Sequence, residues 1–71
     1  MNEEWVHKIG EAAGKVWEAL DSTGGASFTT IKKTVRETDA TVHEALGWLA
    51  REGKIETSRR GKSRIYVLNG K

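Results

Sequence analysis

The sequence predicts a single α+β domain in which three helices precede a C-terminal β-hairpin. Three segments between residues 3 and 52 repeat apolar residues at helical spacing, and breaks rich in Gly, Ser and Thr separate them. Two short alternating segments then flank Arg60-Gly61-Lys62. The chain has 71 residues, enough for one domain and too few for two.

The first helix is predicted over residues 3–21, with Asn2 as its N-cap. Residues 22–25 end it, because their glycines supply a left-handed cap and a turn. Gly10 and Gly14 lie inside this helix, where each costs about 1 kcal/mol relative to Ala. Their spacing predicts that another backbone approaches closely. The apolar stripe consists of Trp5, Ile9, Ala12, Ala13, Val16, Trp17 and Leu20.

A short strand is predicted over residues 26–28, between the first and second helices, with Phe28 buried. The second helix is predicted over residues 30–37 and has Thr29 as its N-cap. Its buried positions are Ile31 and Val35, which lie four residues apart on one face.

The third helix is predicted to begin at a cap formed by Asp39 or Thr41 and to end near Arg51 or Glu52. Gly53 supplies its left-handed end. At 100° per residue, one face carries Val42, Ala45, Leu46 and Leu49. The opposite face carries Ala40, His43, Glu44, Gly47 and Arg51, with Trp48 on the boundary.

The hairpin is predicted from strands at residues 54–59 and 63–68. Ile55 and Thr57 share one face of the first strand, and Ile65 and Val67 share one face of the second. Two short helices joined by a tight turn and followed by a hairpin form the winged helix-turn-helix order. The hairpin is then the wing.

The composition excludes several classes of function. The chain has no cysteine, so disulfides, thiolate metal sites and a cysteine nucleophile are excluded. His7 and His43 lie on different helices without ligand spacing, and we expect no enzyme, cofactor, metal or small-molecule substrate. No apolar run approaches the roughly 20 residues of a membrane span, and the acidic start does not resemble a signal peptide. We therefore expect a cytoplasmic protein without membrane contact.

Charge is unevenly distributed along the chain. Residues 1–30 carry five acids against two lysines, whereas residues 54–71 carry six basic residues against Glu56 alone. This asymmetry suits an anionic partner such as DNA. The hairpin tip is the strongest candidate phosphate site, and its alternative interpretation is a solvated turn whose charges keep strand edges from pairing. Its cations are Arg59, Arg60, Lys62 and Arg64, with Ser58 and Ser63 beside them.

The second and third helices offer weaker candidates for nucleic-acid contact. Lys32, Lys33 and Arg36 are placed to hold flanking phosphates, but an ordinary exposed helix face explains them equally well. The third helix occupies the place of a recognition helix, and it offers His43 and Arg51 as donors. Its outward Glu44 repels phosphates, and Gly47 removes a side chain there, so the face is a poor reader of bases. We therefore expect DNA contact to be directed mainly to the backbone and to sit in the wing.

Two stretches carry a more specific resemblance. One is Gly10-Glu11-Ala12-Ala13-Gly14-Lys15-Val16-Trp17-Glu18-Ala19-Leu20, and the other is Ala45-Leu46-Gly47-Trp48-Leu49-Ala50-Arg51-Glu52-Gly53-Lys54-Ile55. Together they resemble a prokaryotic family of free-standing winged helix-turn-helix domains of unassigned function. The resemblance covers nearly the whole chain. It implies a winged-helix fold, a homodimer and a role with nucleic acid, and it assigns no functional residues.

Three tryptophans are many for a chain of this size. Trp48 follows Gly47 at the edge of the core face, and Trp17 shares its helix with Gly10 and Gly14. Large rings beside small residues suit a self-complementary interface, although Trp5 and Trp17 would equally well complete the monomer core. The predicted dimer-interface residues are Gly10, Gly14, Trp17 and Trp48.

Two functional hypotheses follow. The leading one is a dimeric DNA-binding protein, with a role in transcription regulation, that contacts the phosphate backbone of double-stranded DNA through its wing. The competing one is a protein–protein interaction or dimerisation module that keeps the winged-helix fold and does not bind DNA.

Overall fold

The computed structural model describes residues 3–69. Helices α1 (Glu3–Thr23), α2 (Phe28–Val35) and α3 (Asp39–Arg51) precede the antiparallel strands β1 (Ile55–Arg60) and β2 (Ser63–Leu68). α1 packs against both other helices, and each strand contacts a helix at the base of the hairpin. This architecture confirms the predicted fold of three helices and a wing.

The core forms where the apolar stripes of the three helices meet. The large side chains that are most completely buried are Val16, Leu20, Ile31 and Val42. Burying each of these stabilises the fold by about 1.5–3 kcal/mol relative to leaving it exposed. The predicted inner face of α3 is buried throughout, whereas Trp5 at the start of α1 is 48% exposed.

α1 ends two residues later than predicted, at Thr23. The Gly24 N–H donates a hydrogen bond to Leu20 O at 2.9 Å and closes the last turn, and the Thr23 hydroxyl donates to the Ala19 carbonyl at 2.8 Å. Gly24 follows with a φ of 76°, the left-handed conformation predicted for the end of this helix. The predicted N-cap Asn2 lies outside the described residues.

α2 begins two residues earlier than predicted because Ser27, not Thr29, is its N-cap. The Ser27 backbone is extended, and its hydroxyl oxygen accepts a hydrogen bond from the Thr30 N–H at 3.3 Å. Phe28 is therefore helical and half-buried, not extended and buried. The predicted strand is reduced to one bridge at Ala26.

α3 is capped by Thr38, so the predicted caps Asp39 and Thr41 were wrong. The Thr38 hydroxyl oxygen accepts from the Thr41 N–H at 3.2 Å, and Asp39 becomes the first helical residue. Gly53 ends the helix as predicted, with a φ of 71°. The N–H of Lys54 bonds to Leu49 O at 2.9 Å, which completes a Schellman-type end.

The hairpin turns through two residues, with Gly61 in the first position at a φ of 64°, as a type II′ turn requires. Ile55 pairs with Leu68 across the strands, and Ser58 pairs with Ile65. Directly paired residues point to the same side, so Ile55 and Ile65 lie on opposite faces. Ile55 packs in the helical core, and Ile65 lies beside the loop that contains Gly25.

A backbone bridge ties the wing to the helices. The Ala26 N–H donates to Tyr66 O at 3.0 Å, and the Tyr66 N–H donates to Ala26 O at 2.8 Å. Gly25 precedes this bridge with a φ of 131°, and a Cβ there would lie 2.9 Å from Val67 Cγ1. A side chain at position 25 is therefore excluded by both the backbone conformation and the strand.

We expect Gly25→Ala to lower the free energy of unfolding by about 2–3 kcal/mol, since it adds a clash to a disfavoured φ. Gly24→Ala is the matched control, because Gly24 also has a positive φ but open space around its Cβ. Its cost should stay near 1 kcal/mol. Urea denaturation measures both, and equal losses would contradict the assigned role of Val67.

Candidate nucleic-acid interface

The tip of the wing gathers the four predicted cations. Arg59 lies directly opposite Arg64, Arg60 lies opposite Ser63, and Lys62 lies in the turn. All of these side chains are exposed, and within residues 3–69 none of the four cations forms an ion pair. Like charges placed directly across two strands repel each other, so this arrangement lowers the stability of the isolated hairpin.

Several cations elsewhere are paired with acids. Lys32 Nζ lies 2.8 Å from Asp39 Oδ1, and Lys15 Nζ lies 3.1 Å from Glu37 Oε2. Lys32 is a predicted phosphate contact, so Asp39 competes with phosphate for it. Exposed pairs of this kind are worth less than about 1 kcal/mol, so Lys32 can exchange partners.

The basic residues fall into two groups at opposite ends of α2. A cleft of about 430 Å³ is lined by Arg60 and Ser63 of the wing and by Ser27 and Thr30 at the start of α2. The predicted contacts Lys32, Lys33 and Arg36 lie at the other end of this helix. α2 is eight residues long in total, about 12 Å, so the two groups lie within the length of one short helix.

Arg36 has an unusual backbone for a residue with a side chain. It is the C-cap of α2, with a left-handed φ of 58°, and its N–H donates to Lys32 O at 3.0 Å. No other described residue except glycine has a positive φ. Glycine is the usual residue at such a helix end, so the Arg36 side chain is retained at some conformational cost.

On α3, His43 stacks against Phe28 of α2. The ring centroids are 4.3 Å apart and the planes are inclined by 16°. The other predicted contact on this helix, Arg51, is exposed in its last turn, and Glu44 is half-buried. Phe28 and Asp39 were not predicted as neighbours of functional residues, because each meets its partner only where α2 packs against α3.

A groove between α1 and α3 brings together all four predicted interface residues. Gly10, Gly14, Trp17 and Trp48 line a cavity of about 610 Å³, and Trp48 is 37% exposed. A Cβ on either glycine would meet nothing within 4 Å. The predicted close approach of another backbone at Gly10 and Gly14 is therefore wrong within the described part of this chain.

Two further features are absent from the described residues. Residues 3–69 contain no cluster of three His, Cys, Asp or Glu side chains that could hold a metal ion. Among the helices of the same part of the chain, none combines the length and apolar character of a membrane span.

The sequence matches a known family and a close archaeal relative. The profile of the family described as "Winged helix-turn-helix domain (DUF2582)" matches residues 1–69. "Uncharacterized protein MJ1608" of Methanocaldococcus jannaschii is 43% identical in an alignment that covers 96% of this chain and 99% of that protein. The family match confirms the resemblance expected from residues 10–20 and 45–55.

Solved structures with the same fold include three informative examples. The solution structure of BT2368 from Bacteroides thetaiotaomicron has a TM-score of 0.78 and 33% identity, covering 90% of this chain and 78% of that one. BpsR of Bordetella bronchiseptica, whose DNA binding is regulated by 6-hydroxynicotinic acid, has a TM-score of 0.74 and 22% identity. The match covers 83% of this chain and 44% of that one. A HOP2 structure that concerns DNA recognition and protein interaction domains has a TM-score of 0.68 and 28% identity. The match covers 82% of this chain and 98% of that one.

Replacing Arg36 by Gly should raise the free energy of unfolding by about 0.5–1 kcal/mol, because Gly adopts the left-handed C-cap without strain. Arg51→Gly is the control, since the same exchange inside the last turn of α3 should lower stability by about 1 kcal/mol. Chemical denaturation measures both values. A loss of stability in Arg36→Gly would mean that the side chain makes a stabilising contact that outweighs the strain.

Proposed function

Because the chain belongs to the family of winged helix-turn-helix domains denoted DUF2582, we propose that it is a DNA-binding protein that holds the sugar-phosphate backbone with its wing. The observation that carries this proposal is the set of cations at the hairpin tip that form no ion pair within residues 3–69, above all Arg59 opposite Arg64. The proposal assigns the protein no catalytic role, and transcription regulation is the process that it fits.

The energetics of the tip favour an anionic partner. Two arginines directly across a hairpin destabilise it by about 0.2–1 kcal/mol, and a phosphate placed between them turns this repulsion into two attractions. Binding also releases the counterions condensed on DNA, so affinity depends steeply on salt. The DNA-related functions of BpsR and HOP2 support the proposal at the level of the fold.

The other basic residues have graded roles in this proposal. Lys33 and Arg36 have no ion pair within residues 3–69 and are placed to hold a phosphate beyond the end of α2. Lys32 contributes after it leaves Asp39. Arg51 extends the basic surface along α3. These contacts position the duplex and carry no sequence information by themselves.

We further propose that two copies of the chain associate through the groove between α1 and α3. The groove combines an exposed Trp48 ring with Gly10 and Gly14, whose missing side chains serve no packing purpose in the monomer. Its lining also includes Glu18, Glu52 and Lys54, and Lys54 Nζ lies 3.5 Å from Glu52 Oε1. Across a two-fold axis, Glu18 of one copy can compete with Glu52 for Lys54 of the other. Self-complementarity of this kind is what a two-fold interface requires.

The same groove supports the second candidate function, an interaction module that does not bind DNA. In this second proposal, the function of the winged-helix fold is to present the dimer surface. Gly47 and Glu44, which face outward on α3, then do not contact DNA bases. The two candidates differ in what the wing cations do, so charge removal at the tip separates them.

Replacing Arg59, Arg60 and Lys62 by Ala should weaken duplex binding at least about tenfold and lower the salt slope of log K by about 2–3 units. Fluorescence anisotropy of a labelled duplex across a salt series measures both quantities. The matched control removes three cations that lie outside the tip, as Lys8→Ala, Lys15→Ala and Lys54→Ala together. It changes net charge equally and should weaken binding much less.

Equal losses in the two triple variants would contradict a role specific to the wing. If the unmodified protein shows no duplex affinity even at about 50 mM salt, where electrostatic binding is strong, the DNA proposal is rejected. The interaction module then remains, and the wing variant, whose substitutions lie outside the groove, should still dimerise.

Trp48→Ala should raise the dimer dissociation constant roughly thirtyfold, because a ring that fills a pocket contributes about 2 kcal/mol. Gly14→Leu should do the same by filling the groove. Gly47→Leu is its matched control, since a Cβ at either glycine meets open space but Gly47 is not among the groove's lining residues. Analytical ultracentrifugation gives the constants, and a wild-type chain that stays monomeric at millimolar concentration rules out this interface.

A further inference from the structure

The outward face of α3 has few side chains that can form hydrogen bonds. Asp39 holds Lys32, and the Thr41 hydroxyl is hydrogen-bonded within the N-cap. Three exposed positions of this helix, Ala40, Gly47 and Ala50, have no polar side-chain atom. Glu44 is half-buried, and its carboxylate accepts hydrogen bonds and does not donate them. In the first two turns, His43 therefore remains as the exposed hydrogen-bond donor that has no polar partner within residues 3–69.

The imidazole of His43 is held in place before any ligand binds. It stacks on Phe28 with a centroid separation of 4.3 Å and nearly parallel planes. Phe28 is the first residue of α2, and the cap at Ser27 fixes the backbone from which its ring projects. Stacking covers one face of the imidazole and leaves its nitrogen-bearing edge able to bond. A ring that is already ordered loses little conformational entropy when it binds.

The chemistry of an imidazole matches one class of base edge. The ring offers at least one N–H donor in each of its protonation states. In the major groove, guanine presents the acceptors N7 and O6 side by side, whereas adenine presents N7 beside an amino donor. Residues near the N-terminus of a recognition helix are those that contact base edges. His43 lies in the second turn of α3.

We infer that His43 is a specificity-determining residue and donates a hydrogen bond to the major-groove edge of a guanine. This inference rests on the proposed DNA-binding function and adds a base preference to its backbone contacts. Phe28 is a positioning residue, because it touches the imidazole and not the base.

The neighbours of His43 on the same face make the contact sterically feasible. Ala40 and Gly47 lie one turn before and one turn after it. The fold does not require glycine at position 47, where a Cβ would meet nothing within 4 Å. Because histidine is short, it reaches a base only if the helix backbone comes close to the groove floor. Small flanking residues permit that approach.

The experiment selects binding sites from a randomised duplex pool with the full chain and with His43→Phe, His43→Gln and Phe28→Leu. The wild type should prefer guanine at one position of each half-site by about tenfold. His43→Phe keeps an aromatic ring for stacking but lacks both nitrogens, so this preference should disappear. His43→Gln should shift the preference towards adenine, which glutamine recognises through N6 and N7. Phe28→Leu should weaken the guanine preference without removing it.

Each outcome bears on a distinct claim. An unchanged guanine preference in His43→Phe overturns the inference, and so does a wild-type selection with no base preference, although the proposed role of the wing survives in both cases. A wild type that binds no duplex at low salt overturns the proposed function and this inference together.

Discussion

Two backbone hydrogen bonds between Ala26 and Tyr66 set the direction of the wing relative to the helices. They place β2 between the α1–α2 loop on one side and β1 on the other, so β2 is the inner strand and β1 is the edge. The bridge forms because Gly25 allows the loop to pass within van der Waals distance of Val67. The positions of the tip cations depend on this contact, since the hairpin base otherwise meets the helices through a few apolar side chains.

The distribution of charge follows from where the hairpin leaves the core. Ile55, Tyr66 and Leu68 pack at its base, and beyond them β1 is exposed from Glu56 onwards. Repulsion between Arg59 and Arg64 is tolerable there because water screens it, whereas the same pair placed in the core would prevent folding. A hairpin that projects into solvent can therefore carry a charge density that suits a polyanion, and the helical core is unaffected by it.

α3 serves three purposes through three sides of one helix. Val42 and Leu49 face the core, Trp48 faces the groove beside α1, and His43 faces Phe28 of α2. At 100° per residue Trp48 and His43 lie on different flanks of the exposed face. A dimer formed through the groove would therefore leave the His43 flank open, so the two proposed associations are compatible on one helix.

The sequence by itself determined the order of the elements and the composition of the core. Helical periodicity identified the residues that α3 buries, and Gly24, Gly53 and Gly61 occur at the left-handed positions where turns were predicted. Local pattern was a weaker guide to caps, because several hydroxyl residues precede each of α2 and α3 and packing selects among them. The pattern predicted Thr29 as the N-cap of α2, where the structure has Ser27. It predicted Asp39 or Thr41 as the N-cap of α3, where the structure has Thr38.

Only the tertiary structure decided which residues meet across elements. It brought Gly10, Gly14, Trp17 and Trp48 into one groove and stacked His43 on Phe28. It also paired Lys32 with Asp39 while leaving the wing cations without acids in the described chain. Periodicity reports which face of its own element a residue occupies, and these contacts depend on how separate elements pack. The sequence predicted a basic hairpin, and the packing of the elements determined that its tip cations form no ion pair with an acid of residues 3–69.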